Sequence, residues 1–373
     1  MSSVTNRQPV RKFCAIAFVI LAVDSNARAQ SQWEKIVEAA NREGEVSLYG
    51  SDDFESLFRE FHKKYPKIAV KGYFGRGRDA ALRIVSERRA DKYLADLYVN
   101  GMTTAYSMLY KGKAVDPIAD ALVLPEVVDR SKWWRGQHHY VDPEQKYLLI
   151  FNGQARVDIA YNSKLVDAKQ INSYWDLLNP KWKGKIVSMD PTVGAAGTAM
   201  RFVFYHPELG PEYLKKILTE TDAIISQDSR QMADWLAAGK VAFAIFNGIS
   251  RMDLGTAKQQ GLPVDWFGPE DLKEGASITA SSGGIALMNR APHPNAAKVA
   301  INWLLSREGQ MLFQKLFAVG EEGPDSLRID ISKNEVPRTS RRFDGDERRF
   351  PQTDTPKWMD MTPVIKFVQG LKK

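Results

Sequence analysis

Between Trp33 and Val99 three short apolar runs alternate with amphipathic stretches, and each apolar run ends in small polar residues. "EVSLYG", "IAVKGYF" and "YLADLYV" have strand length, and they stop at "GSDD", "GRGRD" and "NG". "WEKIVEAANREG", "FESLFREFHKKYPKI" and "AALRIVSERRAD" have helical spacing; in the second, Phe54, Leu57, Phe58 and Phe61 share one stripe. Strand and helix in strict alternation admit few solutions. The pattern predicts an α/β unit built on a doubly wound parallel sheet, with strand-end loops gathered along one edge. Asp52 and Asp53 read as N-caps of the helix that starts near Phe54.

After Lys146 the rhythm changes. "YLLIFN" and "ARVDIAYN" are separated only by a Gly-containing turn, which predicts an antiparallel pair that carries the chain between two units. The βα alternation then resumes with "KIVSMD", the small-residue turn "DPTVGAAGT" and "AMRFVFYH". "PEYLKKILTE" and "DSRQMADWLAAGK" read as helices, and "VAFAIFNG" as a strand buried on both faces. "GGIALMNRA" is a late strand, and "PNAAKVAINWLLSREGQMLFQKLF" reads as one long helix. Two βα blocks with a double connection predict two lobes around a cleft. The boundaries read as residues 1–29, a first lobe of 30–150 plus 283–373, and a second lobe of 151–282.

The first 29 residues read as a cleaved secretory signal peptide. A basic start precedes "FCAIAFVILAV", too short an apolar run to span a bilayer, and Ala27-Arg28-Ala29 forms the cleavage pattern. That address predicts the periplasm. The single cysteine, Cys14, lies inside this segment, so the remainder has no thiol for a disulfide, a nucleophile or a metal. Of the +7 net charge, Arg7, Arg11, Lys12 and Arg28 against Asp24 account for +3, leaving +4 spread along the rest. A mild excess of this kind suits a small anionic ligand and falls short of a nucleic-acid footprint. "RTSRRFDGDERRF" mixes both signs and reads as a solvated loop near the C-terminus.

Ligands of open α/β sheets sit beyond the carboxyl ends of strands, where helix N-termini present free N–H groups. That rule selects Ser51 and Asp52, Arg76 and Arg78, Asn100, the run Thr192, Gly194, Ala195 and Thr198, Asn247 and Arg251, and Ser281 and Ser282 as ligand-binding candidates. The arginines could clamp an anion through two parallel hydrogen bonds or point to solvent; the small residues could meet a ligand or pack a helix on the sheet. "DPTVGAAGT" lacks the Gly-Lys-Ser/Thr ending of a nucleotide loop, and "GRGRD" lacks the third glycine of a dinucleotide fingerprint. Neither a G-x-S-x-G nor an H-E-x-x-H motif occurs, so no catalytic residue is assigned. His138 and His139 adjoin Tyr140, but neighbours on an extended segment face opposite ways, and no metal or other cofactor is assigned either.

"SYWDLLNPKWKGKIVSMDPT" closely resembles a segment of bacterial extracellular solute-binding proteins of the ferric-ion-binding type, where W-x-D-L-x-x-P-x-W-K-G-K-I leads into a D-P loop. "APHPNAAKVAINWLLSREGQ" and "ARVDIAYNSKLV" are similar to two further segments of that group. The resemblance spans most of the chain after residue 29. It implies a type II periplasmic binding protein: two α/β lobes, each a mainly parallel sheet flanked by helices, hinged on two crossing strands. Such a protein is a monomer that closes on a solute and hands it to the membrane permease of an ABC importer, with no chemistry of its own. Iron-binding members carry a Tyr-Tyr pair after the strand that here reads "VAFAIFNG", whereas this chain continues "ISRM"; a His after their first strand is replaced by "GSDD". The resemblance therefore implies, with Arg76, Arg78 and Arg251, a carboxylate, a phosphorylated compound or an anionic chelate. Two alternatives stand beside it: a ferric or ferric-chelate binder recruiting His138, His139 and Tyr140, and an exported hydrolase or lyase.

Overall fold

The computed structural model describes residues 31–190, 194–249, 251–318, 322–343, 346 and 348–371. The expected signal segment and Thr192 lie outside them. A helix over residues 31–43 (α1) leads into β1 (Glu45–Gly50), α2 (Phe54–Lys64), β2 (Ala69–Phe74), α3 (Gly77–Arg89) and β3 (Leu97–Val99). These are the elements the alternation predicts, and β1 pairs in parallel with both β2 and β3. Phe54, Leu57, Phe58 and Phe61 are all buried, as their spacing on α2 requires. Burying each such side chain contributes about 2 kcal/mol. Asp53 stands at the N-cap of α2, but its side chain makes no capping bond and instead accepts from Ser51 Oγ at 3.2 Å.

Beyond β3 come α4 (Met102–Thr104), which continues in wider helical turns to Tyr110, then β4 (Val115–Asp116), α5 (Pro125–Val128), β5 (His139–Tyr140) and β6 (Leu148–Ile150). The chain then leaves the first sheet through β7 (Gln154–Arg156) and enters the second at β8 (Ile159–Asn162). Next are β9 (Ile186–Met189), α6 (Gly194–Tyr205), α7 (Gly210–Thr219), β10 (Ile224–Ser226), α8 (Ser229–Ala237), β11 (Phe243–Ile245), α9 (Arg251–Gln259) and β12 (Val264–Trp266). It returns through β13 (Ser277–Thr279) to β14 (Gly284–Met288), followed by α10 (Pro294–Leu305), α11 (Arg307–Phe317), α12 (Pro356–Met359) and α13 (Thr362–Leu371). Among the described residues no helix is long and apolar enough to cross a membrane.

The first sheet runs β2-β1-β3-β14-β6-β5, with β4 also on β14, and the second runs β10-β9-β11-β8-β12. Each has a parallel three-strand unit, β2-β1-β3 and β10-β9-β11, to which antiparallel strands are added. A small separate ladder, β13 on β7, links the two sheets.

Three expectations are corrected. "YLLIFN" and "ARVDIAYN" do not pair with each other: β6 lies on β14 and β5, β7 on β13, and β8 on β11 and β12. Asn152 and Gly153 are held by remote groups, Asn152 Nδ2 donating to Ala280 O and Gly153 N to Asp325 O, so the segment passes on instead of folding back. The long helix is two. Ser306 is extended (φ −65°, ψ 164°), and its Oγ accepts from Gly309 N, so it ends α10 and caps α11. The basic run near the C-terminus is a strap, not a solvated loop. Arg342 is bound to Asp325, Phe343 stacks on Phe350 at 4.6 Å, and Arg349 donates to Leu272 and Lys273 carbonyls. From there residues 349–353 run alongside β13: Ala276 N and Ile278 N donate to Arg349 and Pro351 carbonyls, and Thr353 N donates to Ile278 O.

The strap delivers the chain to the helices of the second sheet. Buried Arg201 on α6 donates to Trp358 O at 2.8 Å and lies 3.6 Å from Asp354, and α13 packs against α6 and α7. The tail beyond Asp354 thus sits with residues 151–282, apart from the rest of 283–373. The cause is the apolar face of α13, which buries Val364 and Val368 and sets Phe367 against Phe204 at 5.6 Å.

Candidate functional site

The strand ends of the first sheet are tied together by backbone hydrogen bonds. Ser51 N donates to Val99 O (3.2 Å), Gly75 N to Gly50 O (2.8 Å) and Asn100 N to Gly284 O (3.1 Å), so the loops after β1, β2 and β3 meet the turn before β14. Gly77 packs closely on the Asn100 amide: a Cβ there would stand 2.6 Å from Oδ1, so that side chain would have to move. In the second sheet Asp190 N donates to Ser226 O (2.8 Å), and Phe246 N to Asp158 O (3.0 Å), which brings the loop after β11 onto the crossing strand. Phe246 (φ 47°) and Ser281 (φ 51°) both hold left-handed backbone at these loops, a conformation costing such residues of order 1 kcal/mol.

Two cavities open along this line. One, about 320 Å³, is lined by Gly101, Met102, Thr103 and Thr104 from the first lobe and Gly248 and Ile249 from the second. Arg156, Asp158, Thr279, Ser281 and Asp354 from the crossing segments complete it. The other, about 310 Å³, lies between Asp53, Ser56, Phe313, Leu316, Phe317 and Glu322 on one side and Asn152, Gln154, Arg156, Ser281 and Ser282 on the other. Both have the volume of a small-molecule site. Arg156 and Ser281 line both, so the two cavities adjoin at the hinge ladder and together make a bent cleft with Arg156 at the bend.

Arg156 is the electrostatic hub. Its Nε donates to Asp158 Oδ1 at 2.6 Å, and a terminal nitrogen lies 3.4 Å from Glu322 Oε1. The Asp158 carboxylate, with Glu322 beyond it, raises the guanidinium pKa above its ordinary value against the pull of burial. Nothing in the strand-end rule points to Arg156, because it sits inside a crossing strand. The available signal was the spacing Arg156-Val157-Asp158, two opposite charges on one face of an otherwise apolar strand.

The expected residues divide as follows. Ser281 and Ser282 line the cleft. Ser51 and Asn100 stand at the joined strand ends; Asn100 Oδ1 accepts from Gly101 N, and its buried Nδ2 has no partner. Asn247 is buried and occupied in the loop, donating to Ala244 O and accepting from Ile249 N. Asp52 is exposed. Arg76 and Arg78 are exposed at the start of α3 and line neither cavity. Gly194, Ala195 and Thr198 form the first turns of α6 and Arg251 opens α9, with their side chains outside the described residues. His138 and His139 line a separate cavity with Tyr140. Each uses Nε2 on a carbonyl, of Val127 and Trp134 respectively, and burial lowers both pKa values, that of His139 to about 4. Among the described residues, no group of three or more His, Cys, Asp or Glu side chains is placed to hold a metal ion.

Two sheets with parallel cores, joined by a hinge ladder and facing each other across a polar cleft at their strand ends, make up the two-lobed fold of type II periplasmic binding proteins. Residues 149–316 match the family model described as bacterial extracellular solute-binding protein. It is 32% identical over 161 residues to a Salmonella typhimurium periplasmic protein assigned, by its name alone, to 2-aminoethylphosphonate binding. That match covers 42% of this chain and 46% of the other. The iron- and citrate-bound Trichodesmium protein FutA superposes with a TM-score of 0.66 at 18% identity, covering 88% of this chain and 99% of that one. Fructose-6-phosphate-bound AfuA of Actinobacillus pleuropneumoniae gives a TM-score of 0.56 at 16% identity, covering 87% and 96%. These structural likenesses establish the fold.

Proposed function

We propose that this chain is the periplasmic solute-binding component of an ABC importer, capturing a small solute with an anionic group in the inter-lobe cleft by hinge closure. The observation that carries the reading is the single cleft turning at Arg156, with strand-end loops of both sheets on its walls. Closure about the β7–β13 ladder brings the Gly101–Thr104 turn towards Gly248 and Ile249, so a solute between them is gripped from both sides. Backbone N–H groups at the first turns of α6 and α9 supply donors for an anion without requiring a lysine. Delivery to a membrane permease and action as a monomer belong to the same proposal. 2-Aminoethylphosphonate, citrate and fructose-6-phosphate, named for the three relatives, bear phosphonate, carboxylate and phosphate oxygens, which supports the anionic class.

The test is a thermal-shift screen of phosphonates, phosphate esters, carboxylates, sugars, polyamines and ferric citrate, followed by small-angle scattering with any hit. A ligand at about 100 times its Kd stabilises the folded state by about 2.7 kcal/mol, and closure shrinks the radius of gyration. An upward shift with compaction and no consumption of the solute supports the reading. A hit that is turned over, or one that binds without compaction, refutes it.

A further inference from the structure

The described walls of the cleft carry more negative charge than an anion binder needs. Asp53, Asp158, Glu322 and Asp354 face it against one cation, Arg156. Arg201, fully buried behind the cleft, answers Asp354 at 3.6 Å. Arg156 is shared between Asp158 and Glu322, so it neutralises one of them. Asp53 and one further carboxylate remain. Acidic side chains alone do not make a site, and a second observation comes from Asn152. This residue is 1% exposed and lines the cavity next to α11. Its Nδ2 is fixed by donating to Gln154 Oε1 at 3.1 Å and Ala280 O at 3.0 Å, which leaves Oδ1 as a buried acceptor without a donor. A buried acceptor left unpaired costs about 1–3 kcal/mol, and an N–H donor from a ligand removes that cost. The remaining wall is Phe313, Leu316 and Phe317, apolar surface suited to methylene groups and to a cation held over an aromatic face.

We infer that the solute carries an ammonium group as well as its anionic group: a short aminoalkyl phosphonate, phosphate or carboxylate. The ammonium enters the Asp53–Asn152–Glu322 cavity, and the anionic end turns at Arg156 towards the helix N-termini of the second lobe. An ammonium offers three donors and no acceptor, which fits two carboxylates and an orphan amide oxygen and no anion. Arg156, already engaged by two carboxylates, orients the anionic end and leaves most of its neutralisation to backbone N–H groups. The inference rests on the solute-binding reading above.

The test is titration calorimetry with matched pairs: 2-aminoethylphosphonate against ethylphosphonate, ethanolamine phosphate against ethyl phosphate, and β-alanine against propionate. In at least one pair the amine member is expected to bind about 10-fold or more tightly, the scale of one charge-assisted hydrogen bond. Asp53→Asn and Glu322→Gln, both on the cavity rim, are expected to lower the ratio of the amine member's affinity to that of its amine-free partner. If amine-free members bind as tightly in every pair, or neither substitution changes the preference, the ammonium site is refuted and the solute-binding reading stands. If no probe binds, and solute extracted from freshly exported protein and identified by mass spectrometry carries no amine, the ammonium site is refuted likewise. An amine in the extracted solute supports it. Absence of both binding and extracted solute refutes the two readings together.

Discussion

Replacing Arg156 by Met tests the hub on which the cleft is built. Met keeps most of the side-chain volume and removes the charge, leaving Asp158 and Glu322 facing each other at 13% and 23% side-chain exposure. Breaking a fully buried ion pair costs about 3–5 kcal/mol, mainly through the charge left behind. The partial exposure here lowers that to about 2–3 kcal/mol. For a chain of this length such a loss is expected to lower Tm by roughly 3–4 °C. Adding Asp158→Asn removes one of the stranded carboxylates, and the double variant is expected to recover about 1–2 kcal/mol. The Asp158 carbonyl, which holds Phe246 N, is untouched by that change. The assay is urea and thermal unfolding of the parent, both single variants and the double, each with and without a ligand from the screen. The parent's ligand-induced shift is expected to shrink in Arg156→Met. A single variant within about 1 °C of the parent that still responds to ligand would falsify the assignment of Arg156 as the hub.

Asn302→Leu is expected to cost about 3 kcal/mol in urea unfolding, because Oδ1 accepts from both Val123 N and Leu124 N, Nδ2 donates to the Ala121 and Lys298 carbonyls, and all four backbone groups lose that partner; a loss below about 1 kcal/mol refutes the role. Ser306→Ala removes the cap between α10 and α11 and is expected to cost about 1 kcal/mol; an unchanged midpoint would show that the break is held by packing alone. Burial depresses the His139 pKa to about 4, against about 6.5 in the unfolded chain, so the folded state favours the neutral ring. That stability is fully present above about pH 6.5 and is lost as pH falls towards 4, by up to about 3 kcal/mol. His139→Gln should flatten this acid loss between pH 7 and 4.5 in denaturant titrations, and an unaltered slope refutes the assignment.

The features legible in the sequence were those decided locally. The apolar stripe of α2 and the strand runs of β1 to β3 need only neighbours in the chain to define them; burial agrees for α2, β1 and β3, while β2, at the sheet edge, has no fully buried residue. The loops beyond strand ends were likewise placed, because a parallel βα unit always puts them on one edge, and Ser281 and Ser282 follow from that rule. Pairing across the hinge was hidden: Gln154 meets Thr279 through a register that no nearby residue signals. The Ser306 break was hidden because serine is tolerated inside helices and also favoured at caps, and the choice depends on Gly309 approaching the Trp303 carbonyl. Arg76 and Arg78 belong to the right loop, but exposure is a property of the folded surface, and Arg156 lay outside the rule altogether.

The strap beside β13 gives the molecule a third connection, which leaves α1 on one lobe and α13 on the other. A hinge of three parallel tethers resists twisting more than bending, so it steers the lobes along one opening-and-shutting arc. With the single cysteine, Cys14, replaced by serine, thiols introduced at exposed Glu38 on α1 and Lys366 on α13 would carry a dye pair on opposite jaws. The separation of the two dyes would then follow capture and release in real time.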